Sequence, residues 1–388
     1  MDQILTIISE YNPLHNGHLY HINESSKLVD TKYKACIISG CFVQRGEPSL
    51  IDKWTKARIA LEAGFDIVIE LPTLYCLSSA ENYASGAIKI AKQIGTNYLS
   101  FGSETGDISL LENLTMLIEQ NHDEYYKEIK NYISKGYSYP KAQELVINKM
   151  FGKKYALLCT PNNILALEYL RSIKQLKAKI KPITIKRNEK FKSATDIRNL
   201  VLNNKGYKSL VPPFTYEALI NSKNKLGTLK VFEKEILYKL RTMSIEDIKL
   251  LPDIPENLIS KLKTASGNCN TLDELLLDLK NKSITAARIK RILLYVLLDI
   301  TSKDIDISKE VTPYIRVLGI RKESKQLLSE ISKKKNVITS VKDFEKTCKN
   351  KKLLRLLEID KTATDIYTLG YNENSKTGLD YTEKLIIF

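Results

Sequence analysis

The stretch that decides the fold is ILTIISEYNPLHNGHLYH at residues 4–21, an apolar run followed by a turn rich in histidine. The whole chain has only four histidines, and three of them, His15, His18 and His21, lie in this stretch. A short apolar run bounded by turn residues predicts a buried strand. The histidines should therefore lie at the carboxyl end of that strand, where the loops of α/β proteins carry function.

The turn behind this strand is suited to bind phosphate. Asn12-Pro13 marks the turn, and Gly17 gives the backbone freedom needed just before a helix that we expect to begin at His18. The N-terminus of such a helix offers unpaired N–H groups and about half a positive charge, which together favour an anion. His15 and His18 would supply hydrogen-bond donors whose charge can respond as charge develops on a phosphate oxygen.

The same histidines allow two other interpretations. They could simply build the turn and cap the helix, and His21 has the weakest claim to a chemical role. They could also bind zinc, but the proline and glycine of the loop break the helical spacing, and no cysteine or carboxylate is suitably spaced nearby. We therefore predict phosphate binding at His15 and His18 and no metal ligands.

The first 200 residues alternate apolar runs with amphipathic stretches, which is typical of a parallel sheet wrapped by helices. We predict a Rossmann-like α/β domain over residues 1–210 that binds its ligand beyond the carboxyl ends of the strands. The predicted strands are residues 4–9, 34–39, 66–70, 97–102 and 182–186. The predicted helices are residues 18–29, 52–63 and 80–94, with a longer helical insertion at about 109–169.

A boundary is expected at Pro212-Pro213, because a helix rarely continues through two adjacent prolines. Beyond it the pattern is almost wholly helical, and residues 244–247 and 271–274 are typical of capping boxes that begin helices. We predict a mainly α-helical domain over residues 211–388. Its segment at 286–295 places Arg288 and Arg291 on one helical face, where they could point outward.

Charge is divided unevenly along the chain. Residues 1–150 carry 14 basic and 18 acidic side chains, whereas the rest carries 46 basic and 27 acidic ones, so the later part supplies the whole net charge of +15. This asymmetry indicates an acidic catalytic part joined to a surface that attracts a polyanion, most simply a nucleic acid. The alternative is an ordinary lysine-rich solvated surface.

The sequence sets only broad limits on the location of the protein and on the role of its cysteines. No window approaches eighteen consecutive apolar residues and no signal peptide is present, so we expect a cytoplasmic protein without membrane association. The six cysteines include no CxxC pair, which argues against a zinc ribbon and against a disulfide framework. We interpret them as mostly buried thiols.

The loop at residues 44–48 follows the second predicted strand and should overhang the same pocket. Its Arg45 could attract a small acid or an RNA backbone. Lys53 and Lys56 lie on the next helix, where they either serve the pocket or belong to a solvated face. Trp54 is expected in the core.

The HxGH pattern of residues 15–18, behind a first strand, resembles the signature of the nucleotidyltransferase superfamily that includes class I aminoacyl-tRNA synthetases. The segment KSATDIR at residues 192–198 is similar to the superfamily's second signature, S-x-T-x-I-R, which opens the last helix of such domains. The resemblance implies that Ser193 and Thr195 cap that helix and offer hydroxyl and N–H groups to the β and γ phosphates, while Arg198 clamps them.

Longer strings are similar to one family within this superfamily, the bacterial tRNA(Met) cytidine acetate ligases, over nearly the whole chain. They are EYNPLHNGHLYH (10–21), SGCFVQRGEPSLIDKWTKARIAL (39–61), DIVIELP (66–72), FGSETGD (101–107), PNNILALEYL (161–170), AARIKRILL (286–294) and YIRVLG (314–319). The resemblance implies an enzyme that uses ATP, with Mg²⁺, to convert acetate into acetyl-adenylate. It also implies transfer of the acetyl group to N4 of the wobble cytidine of elongator tRNA(Met).

The family resemblance also implies the residues that contact ATP. Gly102 would let adenosine approach a strand end, and an asparagine can pair with adenine, although the choice between Asn162 and Asn163 stays open. The implied contacts are Ile8, Ser9, Glu10, Tyr11, Asn12, Pro13, Leu14, His15, Asn16, Gly17, His18, Leu19, Tyr20, His21, Gly102, Asn162, Asn163 and Arg187.

Two other functions remain open at this point. An adenylyltransferase acting on a small phosphorylated metabolite would explain both phosphate signatures but not the basic later part. A non-catalytic RNA-binding protein with a vestigial ATP pocket would explain the charge but not the complete set of His15, His18, Ser193 and Thr195. The sequence does not decide the oligomeric state.

Overall fold

A computed structural model describes residues 2–334 and 336–388 of the chain. The strands are β1 (Ile4–Ser9), β2 (Tyr33–Ser39), β3 (Phe42–Val43), β4 (Glu47–Pro48), β5 (Ile67–Leu71), β6 (Tyr98–Ser103), β7 (Lys181–Lys186), β8 (Ile315–Ile320), β9 (Val337–Ile338) and β10 (Ile386–Ile387). The five strands predicted from the sequence are all present, with ends shifted by about one residue, as expected for boundaries defined by hydrogen bonds.

Five parallel strands form the centre of the main sheet, in the order β5-β2-β1-β6-β7. The chain builds β1, β2 and β5 in one direction and then returns to place β6 and β7 on the other side of β1. Loops that leave neighbouring strands toward opposite faces open a crevice at the carboxyl ends of those strands. The predicted doubly wound sheet is confirmed, and its crevice lies between β1 and β6.

The later part of the chain extends this sheet, which the sequence analysis did not predict. Strand β8 pairs antiparallel with β5, and β9 and β10 pair parallel with β8, so the complete sheet is mixed. A six-residue apolar run such as β8 is easily assigned to a buried helix when helices surround it. The later part is otherwise mainly helical, and its separation as a domain at residue 211 stays a prediction.

Helices cover both faces of the sheet and make up most of the later part of the chain. They are α1 (Asn16–Leu28), α2 (Lys53–Glu62), α3 (Thr73–Cys76), α4 (Ala80–Ile94), α5 (Ile108–Gln120), α6 (His122–Ser134), α7 (Tyr139–Phe151), α8 (Lys153–Ala156), α9 (Pro161–Gln175), α10 (Ala194–Leu202), α11 (Pro213–Asn221), α12 (Glu233–Thr242), α13 (Ile245–Lys249), α14 (Glu256–Asn268), α15 (Leu272–Leu279), α16 (Ala286–Leu298), α17 (Ser302–Glu310), α18 (Lys325–Ser332), α19 (Val341–Thr347), α20 (Lys351–Leu369) and α21 (Leu379–Thr382).

The core consists of two apolar clusters separated by the sheet. Successive side chains of β2 alternate between them: Ile37 belongs to the larger cluster, whereas Cys36 and Ile38 belong to the smaller one. Burial on both faces explains why the central strands are continuous apolar runs rather than alternating ones. Trp54 packs into the smaller cluster, which confirms its predicted place in the core. Among the described residues, no helix is long and apolar enough to cross a membrane.

Candidate active site

The histidine turn lies at the carboxyl end of β1, and His15 is the N-cap residue of α1. Its Nδ1 accepts a hydrogen bond from the Gly17 N–H at 3.0 Å, and Nδ1 of His18 accepts one from the His15 N–H at 3.3 Å. Helix α1 therefore begins at Asn16, and the expected start at His18 is wrong. The reason is that an imidazole here performs the capping role usually filled by Ser, Thr, Asp or Asn.

Capping leaves both histidines able to donate a hydrogen bond. Because each Nδ1 accepts, the proton of each neutral ring lies on Nε2. Burial lowers the pKa of His15 to about 4, and the positive charge of Arg187 acts in the same direction. Burial also lowers the pKa of His18 well below its usual range, with smaller contributions from His15, His21 and Arg187. At neutral pH the two rings, whose centroids lie 3.8 Å apart at an interplanar angle of 30°, thus offer two uncharged N–H donors.

Gly17 is required by close packing in this turn. A Cβ atom at this position would lie 2.8 Å from Cε1 of His15 and 3.1 Å from Cβ of Phe191. The first distance is shorter than van der Waals contact, so any other residue would displace the capping imidazole. This explains the glycine between the histidines better than the general backbone freedom expected from the sequence.

His21 is part of the structure beneath the turn. Its Nε2 lies 2.9 Å from Oγ of Ser100, and Oγ of Ser25 lies 2.7 Å from the same Ser100 oxygen. Burial lowers the pKa of His21 to about 4, so this imidazole is neutral as well. The contact links α1 to β6 and holds the two walls of the crevice together.

The second signature begins α10 directly beside the histidine turn. Ser193 is the N-cap residue, and it forms a reciprocal capping box with Asp196. Arg198 donates to the Asn12 carbonyl oxygen at 2.8 Å and to Oγ1 of Thr195 at 3.1 Å. The structure therefore brings together two motifs separated by almost two hundred residues, both of which end in a helix N-terminus.

The opposite wall of the crevice is organised by Glu104, which the sequence analysis missed. Its carboxylate accepts hydrogen bonds from Thr160 Oγ1 at 2.7 Å, Asn162 Nδ2 at 2.6 Å and the Asn163 N–H at 3.1 Å. The Arg187 guanidinium lies 3.8 Å from the same carboxylate. A carboxylate two residues after the predicted Gly102 was the available signal, because an acidic side chain suits the N-terminus of α9.

Gly102 and the two asparagines differ in accessibility. Gly102 lies in β6 next to Arg187, where an added Cβ would still have 3.7 Å of space. Asn163 is fully buried, and its Oδ1 accepts a hydrogen bond from the Glu104 N–H at 3.0 Å. Asn162 is only partly buried. Of the two asparagines left open by the sequence, Asn162 is therefore the more accessible one.

Lys56 is buried under the site and is not part of a solvated helix face. It is 1% exposed, and its Nζ donates to the carbonyl oxygens of Ser39 at 2.6 Å, Gly40 at 2.8 Å and Glu10 at 3.3 Å. Burial lowers the pKa of this amine. The side chain thus joins the carboxyl ends of β1 and β2 and places a cation beneath the crevice.

Lys53 is also buried, in an ion-pair network between the sheet and the C-terminal segment. Its Nζ lies 3.0 Å from Glu70 and 2.7 Å from Asp380, and Arg316 pairs with both of these carboxylates. Burying a charge is costly unless it is paired, so this network explains why Lys53 tolerates full burial.

Arg288 and Arg291 do not form the free cationic face predicted from their helical spacing. Arg288 pairs with Asp253 at 2.9 Å, and Arg291, whose side chain is 13% exposed, lies 3.5 Å from the same carboxylate and donates to the Gln44 carbonyl oxygen. Helical periodicity identifies a shared face but cannot show that the face meets another loop. Arg291 attaches α16 to the loop at residues 44–48, whereas Arg288 contacts Asp253 instead.

The described residues contain no cluster of three or more His, Cys, Asp or Glu side chains arranged to hold a metal ion. The carboxylates nearest the crevice already have partners. Glu10 accepts a hydrogen bond from the Gln44 N–H at 2.8 Å, and Glu47 pairs with both Arg198 and Lys290.

The parallel sheet, the capped histidine turn and the adjoining second helix start define the class as a nucleotidyltransferase. In agreement, the model of the HIGH Nucleotidyl Transferase family matches residues 2–381. A curated relative from Thermoanaerobacter sp. (strain X514), named tRNA(Met) cytidine acetate ligase, is 40% identical over 405 residues that cover 99% of each chain. Relatives of the same name from Acetivibrio thermocellus and Clostridium tetani are 34% and 36% identical, over 99% and 94% of this chain and 100% and 95% of theirs.

The chain therefore belongs to the tRNA(Met) cytidine acetate ligase family, and the resemblance found in the sequence is confirmed. The fold agrees with that of Thermotoga maritima TmcAL crystallised with α-thio ATP, with a TM-score of 0.94, 28% identity and complete coverage of both chains. The apo form of that protein matches with a TM-score of 0.93.

Proposed function

We propose that this protein is an ATP-dependent ligase that activates acetate as acetyl-adenylate and transfers the acetyl group to N4 of the wobble cytidine of elongator tRNA(Met). The observation that carries the proposal is the hydrogen bond between Arg198 and Asn12, which joins two phosphate-binding helix starts at one crevice. Relatives that carry the ligase name over the full chain support the choice of reaction.

Acetate and the exocyclic amine of cytosine are both poorly reactive, so the reaction needs two chemical steps. An acetate oxygen attacks the α phosphorus of ATP, and pyrophosphate leaves as the acetyl-adenylate forms. The exocyclic amine of cytosine then attacks the acetyl carbon, AMP leaves, and the amine loses a proton. The first step depends mainly on positioning and on neutralising the developing charge.

The residues at the crevice suit the first step. His15 and His18 would donate their Nε2–H groups to phosphate oxygens, together with the unpaired N–H groups at the start of α1. Because both imidazoles are neutral before the nucleotide binds, its negative charge would favour their protonation at the moment that charge must be stabilised. Arg198 would add a fixed positive charge at the second helix start, which Ser193 caps.

The adenosine would occupy the β6 side of the crevice. The space above Gly102 permits close approach to the backbone, and Asn162 lies within reach at the start of α9. Arg187, which is half exposed beside Glu104, would contact the nucleotide from this side.

Magnesium fits this site only as a companion of the nucleotide. The carboxylates at the crevice are engaged by N–H groups or cations, so they do not form a separate ligand set. Mg²⁺ commonly keeps several waters and is held largely by substrate phosphates. When bound, it would neutralise phosphate charge, and the residues of the chain would orient the triphosphate.

We propose that tRNA lies along the basic later part of the chain. Phosphate contacts from lysine and arginine would hold the stem, while the single-stranded anticodon loop would present the target base. Because Arg288 and Arg291 are held by Asp253, we assign the contact with tRNA phosphates to the lysines of residues 211–388.

One assay tests the proposed function. Transcribed elongator tRNA(Met) is incubated with the protein, ATP and isotopically labelled acetate, and its nucleosides are separated by mass spectrometry. Labelled N4-acetylcytidine at the wobble position is the expected product, whereas its absence under conditions of active ATP–pyrophosphate exchange would favour a plain adenylyltransferase. An absence of any exchange would favour the non-catalytic RNA-binding protein.

A further inference from the structure

A cavity of about 210 Å³ adjoins the second signature helix, between the loop at residues 44–48 and the helices of the later part. Part of its lining is apolar and comes from three separate segments of the chain. The side chains of this part are Leu202, Leu229, Leu272 and Leu276. Most of the rest is polar or charged and includes Glu47, Arg198 and Lys290 beside Thr195, Asn199, Thr228, Lys230, Glu233 and Asp273.

We propose that this cavity receives the base of the target cytidine, with the Glu47 carboxylate facing the N4 amine. The proposal rests on the proposed function and names the subsite that its second step requires. A cavity below the range of about 300–1,000 Å³ that suits drug-sized ligands is appropriate for a single ring. Apolar side chains can cover the two faces of a base, and a carboxylate is the natural acceptor for the N4 amine of cytosine.

The orientation of Glu47 is fixed before any base arrives. Lys290 Nζ lies 2.6 Å from Oε1, and Arg198 Nη2 lies 3.2 Å from Oε2. A carboxylate can accept about four hydrogen bonds, so both oxygens retain capacity for another donor. The two cations therefore hold the acceptor in place without occupying it fully.

The cavity is linked to the histidine turn by a single side chain. Arg198 contacts Glu47 in the lining of the cavity and Asn12 in the histidine turn. The Arg198 side chain would thus lie between a base in the cavity and the phosphates of ATP. The N4 lone pair would attack the acetyl carbon, the bond from that carbon to the AMP oxygen would break, and Glu47 would accept the N4 proton.

A substitution that fills the cavity tests the proposal, and the same substitution at the neighbouring residue is its control. Leu276→Trp places an indole in the cavity, whereas Leu277→Trp adds the same group one residue away, where the side chain is 75% exposed. We expect Leu276→Trp to slow acetyl transfer to tRNA at least tenfold more than it slows acetate-dependent ATP–pyrophosphate exchange. Leu277→Trp should change neither rate.

A second variant keeps the test valid if Leu276→Trp does not fold. Leu202 lines the same cavity from α10 but is 43% exposed, so Leu202→Trp should be tolerated and should produce the same selective loss. Equal transfer by folded Leu276→Trp, Leu202→Trp and the parent protein would overturn the proposal. If the parent protein shows no acetate-dependent exchange, the proposed function itself fails, whatever these variants do.

Binding distinguishes a base pocket from a general RNA contact. An anticodon stem-loop with an abasic wobble position should bind the parent protein about tenfold more weakly than the intact stem-loop, since stacking of one base contributes about 1–3 kcal/mol. Leu276→Trp should remove this difference. An undiminished difference in the folded variant would place the base elsewhere.

Glu47→Gln tests the role of the carboxylate. The amide still accepts a hydrogen bond but cannot take up the proton, so transfer should fall at least tenfold more than exchange. An equal fall in both rates would show that Glu47 acts only by holding Arg198, and it would overturn the assignment of the N4 contact.

Discussion

Arg198 donates a hydrogen bond to the carbonyl oxygen of Asn12 at 2.8 Å, across 186 residues of sequence. The bond fixes the start of α10 against the turn that begins α1. Two helix N-termini directed at one crevice can share a triphosphate in a way that neither could alone. The proposed site therefore depends on a long-range contact as much as on either short motif.

His18→Ala should reduce acetate-dependent ATP–pyrophosphate exchange by about two orders of magnitude, because it removes the hydrogen-bond donor that we propose for the reacting phosphates. Affinity for tRNA should change little, since we assign that contact to the later basic part. His122→Ala is the matched control, because the fourth histidine is exposed on α6 and should be dispensable. A parallel loss of exchange and tRNA affinity in His18→Ala would indicate a purely structural role.

Stability should fall as the pH is lowered from about 6.5 to about 4, because His15 has its pKa lowered from 6.5 to about 4 by burial. In this window the unfolded chain binds a proton that the folded chain excludes, so stability rises with pH. A shift of this size corresponds to on the order of 3 kcal/mol. Urea unfolding at pH 7.0 and pH 5.0 covers part of this window and should show a loss on the order of 2 kcal/mol.

His15→Asn is the control for this pH dependence, because asparagine is also a good N-cap residue but does not titrate. The variant should lose part of the difference in stability between pH 7.0 and pH 5.0. His21 should account for a further part of that difference, since burial lowers its pKa similarly. An unchanged pH dependence in the variant would show that His15 is already accessible to protons in the folded protein.

Asn162→Ala and Asn163→Ala should have different effects. Asn162 is partly exposed at the crevice, so its loss should raise the KM for ATP while the melting temperature stays nearly constant. Asn163 is fully buried, and its loss leaves the Glu104 N–H without its acceptor, which should lower stability by about 1–3 kcal/mol. Exchange kinetics and thermal melting of both variants separate the two roles, and the reverse pattern would assign ATP to Asn163.

The sequence predicted the central fold well because its strands and helices are specified locally. The apolar run before YNPLHNGH and the capping box at Ser193 each carry their signal within a few residues. Burial of Lys56 and the pairing of Arg288 and Arg291 with Asp253 depend instead on segments brought together by the fold. Periodicity shows which side chains share a face, and it cannot show what that face meets.

Glu104 is an example within the site of a residue whose contacts cannot be predicted from local sequence patterns. The family string FGSETGD placed it near the predicted Gly102, but its role depends on three donors at the start of α9, more than fifty residues later. Likewise, β8 joins the sheet through long-range pairing with β5. Contacts of this kind are properties of the folded chain, so short-range reasoning finds their residues only when a motif already names them.

Lys56→Met should lower the free energy of unfolding by about 3 kcal/mol, because it removes the donor from buried carbonyl oxygens at the ends of β1 and β2. Arg58→Met on the exposed face of the same helix should have an effect of less than about 0.5 kcal/mol. Chemical denaturation of both variants gives the comparison. Equal effects would mean that Lys56 is hydrated in solution.

Gly46→Ala should separate the loop at residues 44–48 from α16. Two causes act together: the positive φ of Gly46 and a clash of the added Cβ with the helix. Gly46 has a φ of +74°, and an added Cβ would lie 2.5 Å from the Arg291 backbone nitrogen, which cannot move without shifting the helix. Gly136→Ala is the matched control, because Gly136 has a φ of +86° but no atom within 4 Å of the added Cβ. The control should lose only about 1–2 kcal/mol, the usual penalty for a left-handed residue. Gly46→Ala should lose clearly more and should also slow acetyl transfer, since Glu47 would no longer meet Lys290. If thermal melting shows equal destabilisation and transfer is unaffected, the contact between this loop and α16 does not support the reaction.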